Sequence, residues 1–208
     1  MKKSLLLILC LSLVVASFSQ HAMVIGDCTV TYKISGGDAA TNKNLSNATK
    51  IFYVKGRLAR TDMIGPNYKQ SVIYDNAKGT AVILKEIGAE KYMTTLSADE
   101  WEKQNSHFQG QTITLDDDSK KILDYDCKKA IAHLKDGSTY NMYYTSSITP
   151  SASENPFQFK DVPGFVLEYE VGGTNKSSKI TYTATQINFD PVPVSKFKIP
   201  TEGYRVLK

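Results

Sequence analysis

A period-two alternation of apolar and polar residues, interrupted by short turn-forming clusters, constrains this chain more than any other feature. Cys28, Val30, Tyr32 and Ile34 alternate with Thr29, Thr31, Lys33 and Ser35. Only an extended strand with one buried face needs that pattern. The same reading gives strands at 50–55 and 57–63, which meet at Gly56, and at 71–75, 80–86 and 91–96, separated by two- to four-residue breaks. Connections this short join antiparallel neighbours, because parallel strands need long crossovers. A short strand at 112–115 ends at Asp116-Asp117-Asp118. Strands at 125–134 and 138–145 form a hairpin closed by Lys135-Asp136-Gly137, and strands at 165–171 and 179–188 flank Gly172-Gly173. Pro191 and Pro193 end the ladder, since proline has no donor to give it. Phe197, Ile199 and Pro200 are expected to pack the tail back. The expected fold class is therefore all-β, a bent antiparallel sheet of about eleven strands with one short helix.

That helix begins at Ser97, where Ser97-Ala98-Asp99-Glu100 has the form of a capping box, and runs to about Asn105. Trp101, the only tryptophan, lies on it and is expected to dock the helix on the sheet. The alternative is a residue over a ligand site.

The amino terminus reads as a leader. Met1-Lys2-Lys3, the apolar run Leu5 to Val15 and the small residues Ala16 to Ser19 have the three parts of a secretory signal peptide. The alternative is a membrane anchor, but eleven residues at 1.5 Å each cover roughly 16 Å of a ~30 Å hydrocarbon core. The expected organisation is a signal peptide at 1–19 and one domain at 20–208, with no transmembrane segment in the mature chain. Cys10 lies inside the apolar run, a poor setting for lipidation. Without Lys2 and Lys3 the basic count falls from 25 to 23 against 21 acidic residues, so the mature net charge is about +2, with the signs interspersed. Such a balance argues against nucleic acid as a partner.

Export would leave Cys28 and Cys127 where disulfides persist. Both sit mid-strand, and the expectation is a bridge between them, the alternative being two buried free thiols. A bridge would close about a hundred residues, worth roughly 4 to 5 kcal/mol before strain. The glycosylation patterns at Asn44, Asn47 and Asn175 are read as incidental.

No catalytic or metal constellation emerges. His21, His107 and His133 lack partners at ligand spacing, the acidic run 116–118 lacks the alternation and glycine of a calcium loop, and no nucleophile elbow or phosphate loop occurs. The chain is read as non-enzymatic and without a cofactor. What remains is aromatic content: twelve tyrosines and eight phenylalanines, many at alternating positions. Inward aromatics of a bent sheet either fill a core or line a cavity for an apolar ligand. One short helix is too little to cover so many strands, so the sheet itself, the 146–164 loop or a ligand must complete the cover.

Ser119 to Ala130, Tyr143-Tyr144-Thr145 with Ile148, and Asn155-Pro156-Phe157 leading to Val162-Pro163-Gly164-Phe165-Val166-Leu167-Glu168 resemble exported Bacteroidetes proteins of the GLPGLI type and a related family of unknown function. Those families look like relatives of the LolA-like lipoprotein carriers. The chain departs from the pattern at Asp124, which replaces a glycine, and at 161–166, where Asp-Val-Pro-Gly-Phe-Val stands for Gly-Leu-Pro-Gly-Leu-Ile. The departures favour the related family. The resemblance implies a half-open β-barrel with a concave apolar face in the cell envelope, in the periplasm, at the outer membrane or outside. Two functions follow as expectations. One is a lipid or lipoprotein acyl chain held between the sheet and a loop by Trp101, Tyr143, Phe157, Phe159, Val162 and Phe165. The other is an interaction module with a filled core.

Overall fold

The computed structural model describes residues 22–37, 47–173 and 178–207. The expected leader at 1–19, with Cys10, and His21 and the patterns at Asn44 and Asn175 lie outside the described residues. All eleven expected strands are present: β2 (Asp27–Gly36), β3 (Thr49–Lys55), β4 (Leu58–Gly65), β5 (Tyr68–Asp75), β6 (Thr80–Ile87), β7 (Glu90–Leu96), β8 (Thr112–Ile122), β9 (Tyr125–His133), β10 (Thr139–Thr145), β12 (Phe165–Gly172) and β13 (Lys179–Asn188). Three more are short: β1 (Met23–Ile25), β11 (Ile148–Pro150) and β14 (Arg205–Leu207).

Twelve strands form one sheet in the order β14-β7-β6-β5-β4-β3-β2-β13-β12-β10-β9-β8, and β1 pairs with β11 apart from it. The meander from β2 to β7 is antiparallel throughout, as short turns require. Two pairs are parallel, β14 with β7 and β1 with β11, which corrects the expectation of a purely antiparallel sheet. Both follow long connections that allow the chain to cross over. The sheet is bent but not closed. Its curl brings residues of β8 within 8 Å of β13 although three strands lie between them.

The bend gives the sheet two unequal faces. On the inner face Cys28, Val30, Tyr32, Phe52, Val54, Ala59, Tyr74 and Ile83 join Met142, Leu167 and Tyr169 in the main core. On the outer face Tyr53, Ile73, Val82 and Leu84 meet Val192 and Phe197 of the tail. The tail therefore packs back through Phe197, while Ile199 is exposed, contrary to expectation. Arg60 pins this cover: its Nε donates to Asp62 Oδ1 at 2.7 Å, its Nη2 to Ser71 Oγ at 3.0 Å and its Nη1 to the Lys196 carbonyl.

The helix α1 (Ala98–Gln104) has the expected cap, with Ser97 Oγ accepting from Glu100 N–H and Glu100 accepting from Ser97 N–H at 2.8 Å. Trp101 docks it on the inner face, its ring centroid 5.9 Å from that of Tyr74.

Two expectations fail around β8 and β9. Asp116 to Asp118 are not a turn: β8 runs through them, and its pairing jumps from Asp116 opposite Lys129 to Ser119 opposite Lys128. Asp117 and Asp118 form a bulge, which shifts the side-chain alternation of its neighbourhood. Burial along β9 accordingly changes phase, from Cys127 to Ala130 and Ala132, where a single unbroken alternation was expected. The expected disulfide is also absent. Cys28 and Cys127 are free buried thiols, on β2 and β9, which β13, β12 and β10 separate. Only adjacent or directly facing strands bring two cysteines to the 4.4–6.8 Å Cα separation a bridge needs.

Candidate ligand site

Strand register places a cation among aromatic rings at the centre of the inner face. Lys50 of β3 lies opposite Tyr32 of β2, and Tyr182 of β13 lies opposite Tyr169 of β12. Since β3, β2, β13 and β12 are successive neighbours, these four side chains project from one face into one neighbourhood. The Lys50 ammonium is 5.5 Å from the Tyr32 ring centroid and 4.7 Å from those of Tyr169 and Tyr182. The rings also order one another: Tyr169 and Tyr182 stack at 5.1 Å, and Tyr32 meets Tyr169 edge to face at 6.2 Å.

A buried ammonium requires a counter-charge, and the loop after β11 supplies it. Glu154 forms an ion pair with Lys50, which also donates to the Tyr169 hydroxyl. That hydroxyl donates in turn to Glu154 Oε1 at 3.3 Å. Burial pulls the Lys50 pKa below the usual lysine value, and the Glu154 charge opposes the fall. The Tyr32 hydroxyl is pushed well above its ordinary value and that of Tyr182 up to about 12, in each case by burial first and then by the Glu154 charge.

The loop is held at four successive points. Ser153 exchanges two hydrogen bonds with the Asn76 side chain, Glu154 pairs with Lys50, and Asn155 Nδ2 donates to Asn105 Oδ1 at 2.9 Å. Gln111 Nε2 donates to the carbonyls of Phe157 and Gln158 at 2.8 and 3.0 Å. Asn155 Oδ1 accepts from the N–H groups of Phe157 and Gln158, an Asx turn that starts the aromatic stretch. At its end Gly164 lies against β10 so closely that a Cβ would stand 2.3 Å from the Thr145 carbonyl oxygen. No other residue fits that approach without moving the loop.

Among the spaces between loop and sheet, two are bordered by Glu154. The first, about 170 Å³, is lined by Tyr32, Glu154, Phe159, Phe165 and Val166 with Pro150. The second, about 200 Å³, is lined by Lys50, Trp101, Glu154, Gln158, Tyr169 and Tyr182 among others. Trp101 is buried, and its indole N–H has no acceptor among the described residues.

The sequence-expected residues are thus divided. Trp101, Phe159 and Phe165 border the two spaces, and Phe159 stands edge to face on Tyr169 at 5.0 Å. Phe157 and Val162 are half-buried and pack against the main core beside them. Tyr143 is elsewhere, because Met142 and Tyr144 take the buried positions of β10. Its hydroxyl donates to Oδ2 of Asp118, a bulge residue, at 2.8 Å, and the Lys120 ammonium lies 3.9 Å from its ring centroid. Lys50, Glu154, Tyr32, Tyr169 and Tyr182 were not expected in a site. Lys50 shares the parity of Phe52 and Val54, which was a readable signal. Glu154 lies in a loop with no period and left none.

Among the described residues no group of three or more His, Cys, Asp or Glu is placed to hold a metal ion. Burial raises the thiol of Cys28 to about 12 and that of Cys127 to about 11, far from the range of a reactive thiolate. What the arrangement offers is apolar and aromatic wall, one cation and an unpaired donor. No helix among the described residues is long and apolar enough to cross a membrane.

No protein-family model matches the chain, and no curated protein matches it. Solved structures do resemble it. An uncharacterized conserved protein from Thermus thermophilus matches with a TM-score of 0.52 at 7% identity, over 87% of this chain and 89% of that one. PNGF-II matches with a TM-score of 0.50 at 13% identity, over 88% of this chain. The chain spans 32% of the length of that PNGF-II chain. MucB, at TM-score 0.45, 8% identity and 85% of this chain, is too loose a match to bear on the fold. At such identities the first two likenesses concern the fold alone.

Proposed function

We propose that this protein is an exported, non-enzymatic protein of the cell envelope that binds an apolar ligand, such as a lipid or a lipoprotein acyl chain, between the inner face of the sheet and the 151–164 loop. One observation carries the reading: the two spaces bordered by Glu154 are walled by Tyr32, Phe159, Phe165, Trp101 and Tyr182 and roofed by one loop. Apolar surface removed from water at such a wall is worth about 25 cal/mol per Å². The resemblance of residues 119–168 to the GLPGLI type and to LolA-like carriers supports the same reading. At a water's share of roughly 30 Å³, each space holds only a short stretch of chain, so a longer one requires the loop to lift.

A second reading, an interaction module with a filled interior, is favoured by the packing of Tyr32, Phe52, Met142 and Leu167, each under 2% exposed. In that reading the edge strand β8 is the natural place for a partner strand to add. Native mass spectrometry of protein purified without detergent, followed by solvent extraction, separates the two. Adduct masses that disappear on extraction support the ligand reading. A bare mass that stays bare after incubation with lipid and lipopeptide probes supports the module.

A further inference from the structure

Glu154 borders both spaces and neutralises the cation that borders one of them. The Lys50 cage is thereby already shaped for a carboxylate: one ammonium, the Tyr169 hydroxyl beside it and three aromatic rings. Trp101 also lines the second space, and its buried indole N–H has no acceptor among the described residues. Glu154, unlike Lys50, belongs to a loop and not to a strand of the sheet. The first space carries the apolar surfaces of Phe159, Phe165, Val166 and Pro150 and does not reach Lys50.

We infer that Lys50 selects the headgroup of the ligand. The site takes a medium-chain carboxylate, whose charge replaces Glu154 at Lys50 while its chain enters the space walled by Tyr32, Phe159 and Phe165. The inference rests on the apolar-ligand reading and adds a chemical class to it. It makes Glu154 an internal competitor, occupying the headgroup position when no ligand does. Displacing Glu154 lets the headgroup reach Lys50 while the chain stays in the first space.

Calorimetric titration of the full chain with octanoate, 1-octanol and acetate tests this. In the wild type octanoate exchanges one carboxylate for another at Lys50, so a preference over 1-octanol on the order of tenfold, the worth of one modest charge contact, should appear in Glu154→Gln, and acetate should bind weakly. Glu154→Gln should tighten octanoate by a similar factor and leave 1-octanol unchanged. Because Lys50→Met alone leaves a buried carboxylate, the paired variant Lys50→Met with Glu154→Leu is the one to compare. It should bind both eight-carbon ligands alike. Equal binding of octanoate and 1-octanol to Glu154→Gln overturns the headgroup assignment while leaving the apolar-ligand reading intact. Acetate binding as tightly as octanoate overturns the amphiphile. Failure of both eight-carbon ligands to bind overturns the underlying reading, and the assignment with it.

Discussion

Both faces of the sheet are covered by a segment that a buried ion pair holds down, yet the two covers close differently. Outside, Arg60 satisfies its guanidinium on Asp62, Ser71 and the Lys196 carbonyl, and Val192 and Phe197 fill the surface beside it. Inside, Lys50 and Glu154 hold the loop, but Glu154 also borders spaces of about 170 and 200 Å³. The outer pair joins neighbouring positions of one strand, whereas the inner pair joins the sheet to a loop. A buried pair within the sheet serves packing, and a pair across a removable cover leaves a way to open it.

The largest expected effect lies outside. Asp62→Leu leaves the Arg60 guanidinium buried without its carboxylate and should cost about 3 to 5 kcal/mol in urea unfolding. A loss below about 1 kcal/mol would erase the contrast, since structural pairs of this kind are not so dispensable. Next comes the inner pair. Lys50→Met or Glu154→Leu alone should each cost roughly 3 kcal/mol, while the double variant should lie within about 1 kcal/mol of the wild type. Additive losses would mean that the two residues act separately.

The thiols give the third effect, a pH dependence. The folded-state pKa values of Cys28 and Cys127 are raised from 9.0 to about 12 and about 11. The unfolded chain therefore releases these protons first, and the stability they contribute is complete below pH 9 and lost as pH rises toward 11 to 12. Tyr32 and Tyr182, raised from 10.0, add to the loss above pH 10. Unfolding midpoints should be level up to pH 9 and fall beyond it, and Cys28→Ala should delay the fall. In a chain that lacks residues 1–19, and with them Cys10, the same pair should react as two thiols in denaturant without reductant. A thiol-free chain under those conditions would restore the disulfide.

The smallest effect concerns the helix that anchors the loop. Ser97→Ala removes one member of the capping box and should cost about 1 kcal/mol. Because Asn105 at the end of α1 holds Asn155, the variant should also raise amide exchange in the 153–158 loop. Exchange confined to α1 would separate the helix from the inner cover.

The contrast between the faces also marks what the sequence made legible. Eleven strands with a period of two and tight turns were readable because each signal spans several residues. β1, β11 and β14, at three residues each, are too short to carry a period. The run Asp116 to Asp118 reads as a turn because a bulge and a turn share their residue types. Tyr143, set among the ligand residues, alternates with Tyr140, Met142 and Tyr144, and the alternation alone does not say which face of the strand is inward. Pairing with β9 and β12 settles the phase with Met142 and Tyr144 inward. Phe159, Phe165 and Trp101 were legible as aromatics near a loop. Glu154 was not, since its role depends on where a non-periodic loop crosses the sheet.

Trp101 is the chain's only tryptophan and borders the space that Lys50 also lines, so its emission reports on the inner face. Titration with octanoate and with 1-octanol should produce a saturable change in that emission with one-site stoichiometry, while the far-ultraviolet circular dichroism stays constant. Emission unchanged by both ligands up to their solubility limits, in protein shown to be folded, would contradict a ligand site between the loop and the sheet.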